Sequence, residues 1–361
     1  MPKPFLNIEM LPARHGDCLW IEYGTGADTG RVLIDGGPVD TYPRIQSRIA
    51  AMPAGDTVFE LIVLSHVDAD HVEGLVRLFA DKPLPFLVRE VWFNGWRQME
   101  RAQTLGAMQA EFLSALLVER VPKAWDPDAE PWVVPDQGAL PKRTLPGGLE
   151  LTLLSPSVKS LRRMAAQWKT KVKKFSPGDL NAAWEVLAGQ KKFLPKQGLL
   201  GGSSKLDQLL SEQFLKDGAA PNGSSIALLA EYRGKSALLL ADAHPDVVCA
   251  SLRRLCAERG VERIEVDAVK VAHHGSKGNT SVALLELIRS PSYLISSNGD
   301  QFEHPDAACI ARIIKHGQPE HLHFNYKSEF TRPWLLAAAQ KRYGYRAHVR
   351  ADAQVSLKIE L

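Results

Sequence analysis

Cysteine is scarce in this chain, with four in 361 residues, at positions 18, 249, 256 and 309. They form neither C-x-x-C pairs nor a spaced framework, which excludes a disulfide scaffold and leaves buried thiols in a reducing compartment as the expectation. Long apolar runs are lacking too. No stretch reaches the ~18 uninterrupted apolar residues of a membrane helix. Met1-Pro2-Lys3-Pro4 leads into a strand-like run with no cleavable leader, so a cytoplasmic protein with no membrane partner is expected. Histidine is missing from a whole region: none of the eleven lies between Val72 and Ala241. Net charge is only +3, which points to no extreme partner by itself.

What is present is ample material for a core, 45% of residues being apolar. The charge is unevenly spread. Residues 157–205 carry eleven Lys and Arg against Asp179 and Glu185, or +9, which leaves the rest of the chain at −6. Within that segment Lys171, Lys173, Lys174, Lys191 and Lys192 stand among Trp168, Phe175, Trp184 and Phe193. That mixture suits phosphate contacts and base stacking, although a solvated helical face accounts for a charge run equally well.

The densest chemistry lies in Leu64-Ser65-His66-Val67-Asp68-Ala69-Asp70-His71-Val72-Glu73-Gly74. The run Phe59 to Val63 reads as a buried strand and Val72 to about Ala80 as a helix, so imidazoles and carboxylates gather on the turn between them. That is a pattern of metal ligands. Upstream, three strands are expected over Phe5–Leu11, Cys18–Tyr23 and Arg31–Ile34, followed by a helix over Tyr42–Met52. Asp17 lies between the first two strands, and Asp35 ends the third. Downstream come a strand over Phe86–Phe93 and a long amphipathic helix over Gln98–Glu119. Trp92, Trp96, Trp125 and Trp132 flank this region and read as packing.

Leu149–Pro156 is an alternating strand, and 157–220 reads as a basic, partly helical insertion, with helices over Leu161–Val172 and Leu180–Leu187. A hairpin over Ile226–Tyr232 and Ser236–Leu240 then delivers Asp242. The strand Val266–Val271 delivers His273 and His274, with Ser276 and Lys277 following. The strand Tyr293–Ser297 leads to Asn298 and His304. Strand ends at one sheet edge converge, so three successive strands supply one site. His244, before Pro245, reads as a surface residue, and His321 and His323 share one face of a strand as packing or surface groups.

The signature turn resembles the H-x-H-x-D-H pattern of the metallo-β-lactamase fold, with Asp68 in place of the second histidine. That variant is similar to the hydrolase domain of ComEC-type competence proteins. So are the later turns, in order: Asn222 to Ser225, Leu239 to Asp242, His273 to Ser276, and Asn298 to Pro305. The resemblance implies an α/β fold, an αββα sandwich of two mixed sheets flanked by helices, as one domain over 1–361 that carries the 157–220 insertion. It implies two divalent metal ions, Mn or Zn. His66 and Asp68 would hold one and Asp70 and His71 the other, with Asp242 bridging and His273 completing the set; His274 can equally be that ligand. Asp17 and Asp35 would support the ligands. Asp70, His274, His304, Lys277 and Asn298 would act on the substrate. The missing middle histidine leaves one metal short of a ligand, to be supplied by water, by substrate, or by a histidine such as His15 or His304.

The implied activity is metal-dependent hydrolysis, first of all a phosphodiesterase or nuclease acting on DNA or RNA through a metal-activated hydroxide. A regulatory protein partner fits an enzyme that must be restrained. The alternatives are a small-molecule hydrolase of the same fold, acting on a cyclic nucleotide, lactone or other ester, or a non-catalytic metal-stabilised binding protein.

Overall fold

The computed structural model describes residues 2–101, 108–171, 179, 181–183, 209–210, 214–351 and 355–361. In its first part the strands are β1 (Pro4–Met10), β2 (Leu19–Thr25), β3 (Asp28–Ile34), β4 (Val58–Phe59), β5 (Leu61–Val63), β6 (Leu87–Val88) and β7 (Val91–Trp92). Then come β8 (Lys142–Thr144), β9 (Glu150–Ser155), β10 (Ala227–Tyr232), β11 (Lys235–Leu239), β12 (Ile264–Glu265) and β13 (Ala268–Lys270). The last are β14 (Ile288–Arg289), β15 (Ser292–Ile295), β16 (His321–Phe324), β17 (Arg346–Val349) and β18 (Leu357–Glu360). Two mixed sheets result, in the orders β18-β1-β2-β3-β5-β7 and β17-β16-β15-β13-β11-β10-β9-β8.

Alternation of side chains decides why these strands make a sandwich. Leu6, Ile8 and Met10 of β1, Leu19, Ile21 and Tyr23 of β2, Val32 and Ile34 of β3, and Leu61 and Val63 of β5 enter the core shared with the second sheet. Their neighbours Trp20, Leu33 and Ile62 turn to the opposite face, where helices cover them. A strand buried on both faces carries apolar residues at both parities. The covering helices include α1 (Tyr42–Ala50), α2 (Ala69–Phe79) and α4 (Met108–Arg120). On the far side of the second sheet the helix Pro245–Arg259 lies against β9, where the Ser251 hydroxyl donates to the Leu154 carbonyl at 2.7 Å. Helices therefore lie outside both sheets, which is the αββα architecture.

Several boundaries differ from expectation. The single strands expected at 59–63 and 86–93 are each broken in two: the Glu60 N–H ties back to the Arg31 carbonyl of β3 at 2.9 Å, and Arg89 and Glu90 pair with different partners, the Arg89 N–H donating to the Phe59 carbonyl at 3.0 Å and the Glu90 carbonyl accepting from the Ile62 N–H at 3.0 Å. β4 and β6 then pair in a small side sheet, while β5 and β7 join the main one. The expected long helix is α3 (Trp96–Arg101) and α4, with 102–107 outside the described residues. The insertion opens with α5 (Val158–Lys171), whose Leu161 and Met164 pack in the same layer as Trp96 and Met99. Most of the helix expected at Leu180–Leu187 lies outside the described residues. Trp92 stacks on Trp132 at 4.0 Å and Trp125 on Phe93 at 5.8 Å, so these tryptophans are packing. All four cysteines are buried and free. Among the described residues no helix is long and apolar enough to cross a membrane.

Candidate metal centre

Helix α2 begins at Ala69, three residues before its expected start, so Asp70 and His71 lie in its first turn. The helix is drawn against the Asp35-Gly36-Gly37 turn that ends β3. The Gly36 N–H donates to the His71 carbonyl at 2.8 Å and the Gly74 N–H to the Gly37 carbonyl at 2.9 Å. A Cβ on Gly74 would stand 1.9 Å from the Gly36 carbonyl oxygen, so only glycine allows this approach. From the other sheet, β11 and the turn after it bring Asp242. The turn after β13 brings His273 and His274, both with left-handed backbone (φ 47° and 55°). Left-handed conformation at two adjacent non-glycine residues is costly. Here it turns neighbouring imidazoles into the same site.

Four imidazoles surround one carboxylate oxygen. The Nε2 atoms of His71, His274, His273 and His66 lie 3.5, 3.6, 3.7 and 3.8 Å from Asp242 Oδ2. The far nitrogen of each ring faces an acceptor, which fixes its tautomer when neutral. His71 Nδ1–H donates to Asp35 Oδ2 at 2.8 Å. His273 Nδ1–H donates to Asn279 Oδ1 at 2.8 Å. His274 Nδ1 faces the Ser296 carbonyl at 3.1 Å and Asp17 Oδ1 at 3.3 Å. The Ser65 hydroxyl donates to Asp35 at 2.7 Å and so accepts from His66 Nδ1 at 3.1 Å. Every Nε2 lone pair is thereby aimed inward. Asp70 Oδ2 stands 3.4 Å from His274 Nε2, and Asp68 Oδ2 stands 3.7 Å from His66 Nε2.

The electrostatics ask for a cation. Burial opposes any charge here, yet Asp242, Asp35 and Asp70 raise His71 well above its ordinary range, and Asp242 and Asp17 do the same to His274. Burial and the neighbouring His71 push His66 down to about 4. Two protonated rings would meet nitrogen to nitrogen, since His71 Nε2 and His274 Nε2 are 3.3 Å apart. His66 Nε2 and Asp242 Oδ1 are buried with no hydrogen-bond partner, a costly state for polar atoms. Metal ions would satisfy both atoms and replace the protons. Among the described residues, three groups have donor atoms close enough to hold one: His66, His71 and Asp242; Asp70, His71 and His274; and Asp17, Asp242 and His274.

No protein-family model and no curated protein matches the chain. Among solved structures it is similar to the metallo-β-lactamase fold protein YhfI from Bacillus subtilis, at 10% identity and a TM-score of 0.43, covering 99% of this chain and 100% of that one. It is also similar to CmlA, a diiron β-hydroxylase from Streptomyces venezuelae, at 12% identity and a TM-score of 0.38. The chain spans 54% of CmlA's length. The chain itself shows two facing mixed sheets, helices on both outer faces and a His/Asp cluster on the turns after β5, β11 and β13.

Around the centre, His304 packs its ring 5.3 Å from that of His273. His15 stands edge-on to Phe302, their ring centres 5.9 Å apart, and is outside the three donor groups. Asn298 donates from its side-chain amide to Asp300 at 2.5 Å. Lys277 is exposed, and its backbone N–H donates to Asp306 Oδ2 at 2.7 Å. Lys173, Lys174, Lys191 and Lys192 lie outside the described residues, as does the side chain of Lys171 at the end of α5. His244 is buried and not at the surface as expected, because Gly223 closes over its ring and Asp217 lies 3.9 Å away. Asp217, Asn279 and Lys270 were not expected in the site. Asp217 accepts from Asn222 at 2.7 Å and Asn279 at 3.0 Å, and Lys270 donates to Asp17 at 2.6 Å. Asp217 falls in the basic insertion and Lys270 within a strand, so no motif marks either one.

Proposed function

We propose that this chain is a dinuclear metal-dependent phosphodiesterase acting on nucleic acid, related to ComEC-type hydrolase domains. The observation that carries the reading is the set of four Nε2 atoms around Asp242 Oδ2, with Asp68 and Asp70 alongside. His66, Asp68 and His273 would hold one ion, and Asp70, His71 and His274 the other, with Asp242 between them. His273 then takes the place of the absent middle histidine. A carboxylate-rich set of this kind favours Mn²⁺, with Zn²⁺ as the other candidate. Such a metal pair supplies an activated hydroxide and neutralises charge on a phosphoryl group.

The chain's own residues do the rest. Asp35, Ser65 and Asn279 hold the imidazoles in the tautomers that leave Nε2 free. Burial, with the neighbouring His273, pushes His304 down to about 3, so it is neutral and suited to donate a hydrogen bond to a substrate oxygen. Lys277 is a phosphate contact at the exposed side. Phe302, 46% exposed beside His15 and His304, offers an aromatic face on which a base can stack. The lysines 171, 173, 174, 191 and 192 would track the phosphate backbone.

The test is fragment release from labelled single- and double-stranded DNA and RNA with Mn²⁺, comparing wild type with Asp242→Ala. Cleavage that falls at least about 100-fold in the variant is expected, because the shared carboxylate is lost. A metal-loaded wild type that cleaves none of these polymers would reject the nuclease reading and favour a hydrolase of small esters.

A further inference from the structure

Away from the centre, three more histidines meet on the second sheet. His321 and His323 alternate along β16, and His323 is in register with His348 of the edge strand β17. All three therefore share one face of the sheet, the face that also carries Leu294 of β15 and Lys270 of β13. His348 Nε2 lies 3.1 Å from His321 Nδ1. The ring of His323 stacks on that of His348 at 4.7 Å, with an interplanar angle of 13°. The rings of His321 and His323 stand 6.0 Å apart.

We propose that His321, His348 and His323 form a second, independent site for a borderline-soft divalent metal ion such as Zn²⁺. Two nitrogens bound to one tetrahedral zinc lie about 3.3 Å apart, from zinc–nitrogen bonds of about 2.0–2.1 Å. The 321–348 pair is already at that spacing. His323 joins by rotating its side chain, since the strand register already places its backbone beside His348. The set is imidazole alone, which favours Zn²⁺ over the harder Mn²⁺ proposed for the centre. Protons offer little competition at His323 and His348. Burial, together with His348 and His321, pushes His323 down to about 3, and burial, His321 and Arg346 lower His348. Arg346 is in register with His321 and is the nearby charge that would weaken the site.

The experiment is titration of the full metal-free chain with Zn²⁺ by calorimetry, for wild type, His348→Ala, His321→Asn and Asp242→Ala. Wild type is expected to bind one equivalent more than either histidine variant, and Asp242→Ala is expected to keep that equivalent. His348 is exposed on an edge strand, so its replacement should fold, and His321→Asn gives an independent reading. Equal zinc stoichiometry in wild type and both histidine variants would overturn the site. Loss of the extra equivalent in Asp242→Ala would also do so, by assigning it to the centre.

Discussion

A histidine binds metal well only if its ring is held, and at this centre the holding groups differ for each ring. His71 leans on Asp35, His274 on Ser296 and Asp17, and His273 on Asn279. Asn279 is fully buried and does three jobs at once. It accepts from His273 and donates to Asp217 at 3.0 Å and to the Asp242 backbone carbonyl at 3.1 Å. In the proposed centre it would be a positioning residue for His273 and Asp242 together. Replacing Asn279 by alanine should therefore weaken Mn²⁺ binding by about 10–100-fold, the usual loss when a supporting partner of a ligand is removed. The measurement is a two-site Mn²⁺ titration. Weakening confined to one of the two ions would match a role through His273, while unchanged affinity at both would show that His273 needs no holder.

At the scale of elements, the centre depends on how closely α2 approaches the turn after β3. The close contact between Gly74 and Gly36 is the clearest weak point. Gly74→Ala forces a methyl against a carbonyl oxygen, and overpacking of this kind costs about 1–3 kcal/mol. Because Asp70 and His71 ride on the first turn of the same helix, metal affinity should fall along with stability. Urea unfolding in chelator isolates the structural part, and a variant as stable as wild type would mean the helix can slide without loss. Much of this level was legible in the sequence. The hairpin β10–β11 sits within a residue of its expected ends, since Arg233-Gly234 is a turn signal between two apolar runs. The broken strands at Glu60 were not legible. They arise from a contact with β3, whose register the sequence does not reveal. His244 was misread for a similar reason, since its cover comes from Gly223, twenty-one positions upstream.

For the molecule as a whole, the two sheets contribute opposite halves of the site. Asp35, His66, Asp70 and His71 come with the first sheet, and Asp242, His273 and His274 with the second. The sandwich was expected only from the resemblance of the signature turns, while the convergence was visible in three strand ends carrying ligand types. The left-handed pair at His273 and His274 was not, so the sequence left the choice between them open; both rings face Asp242. An ion held by donors from both sheets clamps them at that edge and binds only the folded chain. At free metal 100 times its dissociation constant, one such ion adds about 2.7 kcal/mol of stability. For a chain of this size, stripping it with chelator should lower the melting temperature by a few degrees. Adding Mn²⁺ back should restore it. Asp242→Ala, lacking the carboxylate that both halves share, should show a smaller metal-dependent shift than wild type, whatever its own melting temperature. Equal shifts in the two proteins would place the stabilising ion elsewhere, and repeating the scan with Zn²⁺ on His348→Ala would then tell whether the three-histidine face of β16 and β17 is the place.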